Sequence, residues 1–198
     1  AREDKEALTI LTDYALKRHY PNAENSPIPA INLLNAVMSA QVKLVAQWMS
    51  LGFIHGVMNT DNSSISGETI DYGPCAFMDR YDPATVYSSI DMQGRYAYVN
   101  QPAAAQWNLA RFAETLLPLI HDDADKAVEI ATEQLEEFSS VYEACWLDGM
   151  RAKFGLRLAS DQDKPLIDEF LTLLHTGQVD YTNAIRRLGD AAAGNRDP

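Results

Sequence analysis

Apolar positions recur at helical spacing through most of this chain. Over residues 4–19, Ala7, Leu8, Leu11, Tyr14, Ala15 and Arg18 share one face, and Pro21 stops the run. Residues 22–29 read as a turn-rich connector. From Ala30 to Leu51 the apolar residues Ile31, Leu34, Val37, Met38, Val42, Leu44, Val45, Trp48 and Met49 lie nearly all round, which predicts a buried helix. Gly52 stands where a left-handed cap would end it.

The pattern then changes. Residues 53–79 alternate short apolar pieces, Phe53-Ile54, Ile65 and Ile70, with polar turns, predicting small strands and tight loops. Residues 74–101 read as an irregular connection with Asp82-Pro83 and Gly94 as turn signals. Connections of that length in a compact protein are usually functional. Helix resumes after Pro102, with Trp107, Phe112, Ala113, Leu116 and Leu117 as its apolar residues. One long helix is predicted over 123–147, striped by Val128, Ala131, Leu135, Phe138, Tyr142 and Cys145, and a short one over 150–158. Asp161 or Asp163 opens the next, with Pro165 in its first turn and Gly177 after its end. Asp180 caps the last, turning Tyr181, Ala184, Ile185 and Leu188 inward. The fold class is therefore mainly α, with a small β-hairpin and loop centre, and this is the element order of a protein-kinase C-lobe.

Composition narrows the function. The 198 residues are 46% hydrophobic, enough for a substantial core. The formal net charge is -12 and no basic patch is visible, so no nucleic-acid partner is expected. Acidity of this kind points instead to a metal or a basic neighbour that brings polyanions in. No apolar run reaches the length of a membrane span, and Ala1-Arg2-Glu3-Asp4 does not open a secretory signal. The chain is expected to be cytoplasmic, with no membrane partner. It lacks an initiator Met, which suits a start inside a longer protein. Cys75 and Cys145 lie far apart and read as reduced thiols.

The candidate chemistry lies in Phe53-Ile54-His55-Gly56-Val57-Met58-Asn59-Thr60-Asp61-Asn62, followed by Ile70-Asp71-Tyr72-Gly73. Kinases carry His-x-Asp-x-x-x-x-Asn and then Asp-Phe-Gly. His55, Asn62 and Asp71 fit the first His, the metal-binding Asn and the metal-binding Asp, whereas Val57 stands where the catalytic Asp would be. Nucleotidyl and phosphoryl transfers need divalent cations on the phosphate oxygens, and Mg²⁺ is content with one or two protein oxygens plus phosphates and water. On that reading Gly73 supplies the sharp turn after Asp71, and Ile70 and Tyr72 anchor the acid among apolar neighbours. Residues 59–64 alone are also what a solvated turn looks like. The conjunction of helix, His, Asn spacing and Asp-Tyr-Gly favours the kinase-like reading.

The motif at 52–62, with Thr69-Ile70-Asp71-Tyr72-Gly73-Pro74, Phe77-Met78-Asp79, Gly94-Arg95-Tyr96-Ala97-Tyr98, Gln101-Pro102, Trp107-Asn108-Leu109 and Asp180-Tyr181-Thr182-Asn183, resembles the selenoprotein O/YdiU family. The resemblance covers nearly the whole chain. It implies a pseudokinase-like fold that transfers AMP from ATP to hydroxyl side chains of proteins, with Mg²⁺ or Mn²⁺. Carried onto this sequence, it makes Asn62 and Asp71 the metal ligands and Asp61 the base. It also implies that residues 1–198 are the C-terminal helical lobe, with an N-lobe bearing the ATP-holding Lys and Arg residues elsewhere in the polypeptide. Without that lobe the chain is expected to be inactive alone and to expose apolar surface beside Phe53, Ile54, Ile65 and Ile70. Two rivals remain at this point. One is a small-molecule kinase, which Val57 disfavours; the other is a catalytically dead interaction module.

Overall fold

The structure is a computed structural model that describes residues 4–23 and 27–194, so residues 24–26 of the predicted connector lie outside the described residues. Within it run helices α1 (Lys5–His19), α2 (Pro29–Leu51), α3 (Gln101–Ile120), α4 (Ala124–Glu136), α5 (Phe138–Phe154), α6 (Asp163–Gly177) and α7 (Tyr181–Ala192). Strands β1 (Phe53–Ile54) and β2 (Ala76–Phe77) pair antiparallel, Phe53 opposite Phe77 and Ile54 opposite Ala76.

Helix α2 is the hub. Its residues Leu33, Leu34, Val37, Val42, Val45 and Trp48 are buried on several sides, as its all-round apolar pattern requires. Helix α3 packs along one flank and α5 along another. Gly52 ends α2 at φ 71°, and a Cβ there would stand 2.9 Å from Tyr181 Cδ1. Only glycine admits both the turn and that close approach.

Helix α1 presents a different face from the predicted one. Thr12 and Ala15 are buried, whereas Leu11 and Tyr14 are exposed. Small side chains at the contact let α1 approach its neighbours closely, and the larger ones are left facing outward. The predicted helix over 123–147 is two helices that meet at Glu137. No Gly or Pro marks the junction, so periodicity alone runs through it. The break lets Ala127 and Ala131 pack with Leu34, Leu116 and Ile120 in a small second core, while Phe138 joins the main one. The predicted short helix over 150–158 is the end of α5, closed by Gly155 at φ 72°. At the end of α6, Gly177 is the last helical residue and Gln178 takes the left-handed cap at φ 50°.

The C-terminal helix is tied to the centre. Asp180 caps α7 by accepting from Asn183 N at 2.7 Å, as predicted. Tyr181 is fully buried, stacks on Tyr81 with ring centroids 5.6 Å apart, and donates its hydroxyl to Ser50 O at 2.9 Å. Its backbone N–H donates to Asp79 O at 2.7 Å, so the start of α7 docks on the chain segment that follows β2.

Candidate active site

Two loops leave the β1–β2 pair and carry the predicted chemistry. The first runs from His55 through a single 3₁₀ turn over Thr60–Asn62; the second carries Asp71. An isolated bridge between Ser63 and Thr69 joins them, with Asn62 one residue before it and Asp71 two residues after.

His55 is the clasp. Its ring is buried, 5.4 Å from the Trp48 ring centroid, and Nε2 lies 2.7 Å from Ile70 O. A carbonyl only accepts, so Nε2 carries the proton. Nδ1 is then free to accept from Val57 N, at 3.4 Å. One side chain thereby fixes both the start of the first loop and the residue before Asp71. Gly56, at φ 85°, makes the turn that follows, where a Cβ would meet Pro74 Cγ at 2.9 Å.

Asn62 donates Nδ2 to Val57 O at 3.0 Å. That bond orients the amide and leaves Oδ1, a neutral acceptor, outside it. Asp71 is exposed and sits at φ 54°, one of only two positive-φ residues other than glycine among the described residues. Strain of this kind costs of order 1–3 kcal/mol and gathers at functional positions. Gly73 does not supply the sharp turn expected of it: the left-handed residue is Asp71, and Gly73 N closes the turn onto Asp71 O at 2.8 Å. Ile70 and Tyr72 are not apolar anchors either. Both are exposed, and the hold on this segment is His55 on the Ile70 carbonyl. Phe53 and Ile54 are likewise buried rather than exposed, Ile65 is half-buried, and Phe77 joins Ile70 and Tyr72 at the surface. Asp61 is exposed on the 3₁₀ turn and makes no ion pair or side-chain hydrogen bond among the described residues.

The helices hold these loops with side chains whose anchoring role sequence reasoning missed. Gln101, fully buried at the start of α3, accepts from His55 N at 2.9 Å and donates to Phe53 O at 2.9 Å. Asn108 donates to Met58 O at 3.0 Å and to Ser63 Oγ at 2.7 Å. From α2, Gln41 donates to Ser64 O at 2.6 Å and Trp48 Nε1 to Thr69 Oγ1 at 2.9 Å. The Tyr20 hydroxyl donates to Ile65 O, and burial raises its pKa, which keeps the proton in place. The available signal was a pair of amides, Gln101 and Asn108, at inward positions of an otherwise apolar helix.

Asn62 carries a neutral amide oxygen and Asp71 a carboxylate, the donor types that Mg²⁺ takes together with phosphate and water oxygens.

The class this geometry defines is a helical lobe carrying two clasped, oxygen-rich loops at one end. The family model described as "Protein adenylyltransferase SelO" matches residues 1–196, and the chain belongs to that family. It is 61% identical over 184 residues to a protein nucleotidyltransferase YdiU of Anoxybacillus flavithermus, covering 93% of this chain and 38% of that protein. It is 56% identical to the protein of the same name from Mycolicibacterium smegmatis, covering 98% and 40%, and 52% identical to that of Agrobacterium fabrum, covering 100% and 41%. The chain thus spans about two fifths of the length of these curated relatives. Among the described residues no helix is long and apolar enough to cross a membrane.

Proposed function

We propose that this chain is the kinase-like C-terminal lobe of a metal-dependent protein adenylyltransferase, which moves AMP from ATP to Ser, Thr or Tyr hydroxyls of proteins. The observation that carries the reading is the Asn62 amide, held to Val57 O, on a loop bridged through Ser63 and Thr69 to the loop where Asp71 sits at positive φ after the clasped Ile70. The printed names of the family and of its YdiU relatives support nucleotidyl transfer.

On this reading Asn62 and Asp71 would hold Mg²⁺ or Mn²⁺, which would supply charge neutralisation on the phosphate oxygens of ATP. The acceptor oxygen bonds the α-phosphorus, the α–β bridging bond breaks, and pyrophosphate leaves with the electron pair. Asp61 takes the hydroxyl proton, because Val57 puts no carboxylate at the position a kinase uses. The remainder of the longer polypeptide supplies the opposite wall and the basic groups for ATP. Exposed Ile70, Tyr72 and Phe77 beside Asp71 give that wall an apolar rim to meet.

The test uses the full-length protein with ATP labelled at either the α- or the γ-phosphate. Label is expected on protein from the α position, only with Mg²⁺ or Mn²⁺ present. Transfer of the γ label would make it a kinase, and transfer of neither, on self or on an added protein mixture, would leave a dead interaction module.

A further inference from the structure

A turn on the long connection between β2 and α3 is fastened by its own hydrogen bonds, and among the described residues its side-chain hydrogen bond to the first loop goes to Asn59. Asp91 sits at its centre, accepting from Arg95 N at 2.9 Å and Tyr96 N at 2.8 Å. Asn100 Nδ2 fastens it again, donating to Gly94 O at 2.8 Å. The fastened turn holds Ile90 and Met92 in solvent, 82% and 88% exposed. Apolar side chains on an ordered turn, outside either core, mark a contact surface more than a scaffold.

Beside them stands a held cation. The Arg95 guanidinium lies 4.7 Å from the Trp107 ring centroid and 5.6 Å from that of Tyr96, and it makes no ion pair among the described residues. Arg111 lies 5.3 Å from the same Trp107 ring, and is paired with Glu114 at 2.8 Å. Trp107 is 44% exposed, so it is a platform and not the core residue its helical position suggests. Stacking fixes a guanidinium while leaving its N–H edge for a carboxylate. The platform reaches the candidate site directly: Tyr96 donates its hydroxyl to Asn59 Oδ1 at 2.7 Å, two residues before Asp61. A cavity of about 300 Å³ opens on the same side, lined in part by Thr60, Ser63, Ile65, Arg111 and Phe112.

We infer that the Asp91 turn and the Arg95–Trp107 stack are the docking surface for the acceptor protein, selecting a hydroxyl residue with a carboxylate and an apolar side chain nearby. This rests on the adenylyltransferase reading, since it names that reaction's second substrate. The charge logic is local. These 198 residues carry a net charge of -12, so an acidic segment finds few cations on them, and a fixed cation beside the loop decides where it is held.

The test presents a library of Ser-, Thr- and Tyr-containing peptides to the full-length protein without ATP and sequences the bound fraction. The parent is expected to enrich Asp or Glu near the hydroxyl residue. Arg95→Glu loses that enrichment by at least about tenfold and favours Lys or Arg instead, since like charges across an interface are strongly unfavourable. Arg95→Lys keeps part of it, and ATP affinity stays within about twofold of the parent in both. A parent indifferent to acidic residues, or an Arg95→Glu variant with the parent's preference, overturns the inference. So does an Arg95→Glu variant that loses ATP affinity, because the cation would then serve the nucleotide. No transfer is needed for this readout. A parent that selects acidic peptides but moves no AMP therefore sinks the transferase reading and leaves the docking surface standing.

Discussion

The loops between β1 and α3 and the helices α5 to α7 are held by different physics. In the loops, single side-chain hydrogen bonds join residues 15 to 50 positions apart, from His55 to Ile70 and from Asn108 to Met58. In the helices the work is done mainly by packing, with Phe138, Met150, Ile167 and Tyr181 fully buried, helped by the Asp180 cap and a few long-range bonds such as Tyr181 hydroxyl to Ser50 O. Loops built this way place oxygen atoms through single bonds above a few buried residues such as Met58, Met78 and Tyr98. Helices built this way draw their stability chiefly from packed side chains. A substitution should therefore damage function in the first region and folding in the second.

The widest separation is expected at Asp71. In the full-length protein, Asp71→Ala and Asp71→Gly should both take AMP transfer below detection, because the carboxylate that would hold the cation is gone. Their stabilities should differ, with the glycine variant the more stable by about 0.5–1 kcal/mol, since only glycine relaxes at φ 54°. Equal urea midpoints would remove the strain argument. Tyr181→Ala is the converse case. It should cost about 3–5 kcal/mol in urea unfolding, whereas Tyr181→Phe, which keeps the stack on Tyr81 and loses the bond to Ser50 O, should cost only about 1 kcal/mol. A Tyr181→Ala protein of parental stability would break the comparison on the helical side.

Asp61→Ala should slow transfer by at least about 10²-fold with ATP affinity kept, the usual scale of general-base help. Transfer at near the parent rate would leave positioning and the metal as the whole of catalysis. The smallest effect is at the cap: Asp180→Ala should lower stability by about 1 kcal/mol and leave transfer rates alone. A large loss of rate from this variant would mean that α7 and the loops are coupled far more tightly than their contacts imply.

Much of this contrast was legible in the sequence, and the reasons it failed elsewhere are physical. Helix α2, its Gly52 cap and the Asp180 cap follow from local pattern and local chemistry. His55, Asn62 and Asp71 stood out because their spacing in the chain is itself the signal. Their anchors did not, since Gln101 and Asn108 meet partners about half a hundred residues away, where no short pattern reaches. The junction at Glu137 was invisible because both sides are equally helical. Trp107 read as core because helical periodicity does not register that two arginines lie beside it. The positive φ fell to Asp71 and not to Gly73, next to the residue whose carbonyl His55 holds, a tertiary contact that no local pattern reports.

The central claim is that Asn62 and Asp71 hold a divalent cation on ATP, and the most direct measurement is Mn²⁺·ATP binding to the full-length protein by electron paramagnetic resonance titration. The parent is expected to bind Mn²⁺ in an ATP-dependent manner. Asp71→Ala should weaken that binding by at least about tenfold, and Asn62→Ala by less, because water partly replaces a neutral carbonyl. Mn²⁺·ATP bound as tightly by Asp71→Ala as by the parent would contradict the account.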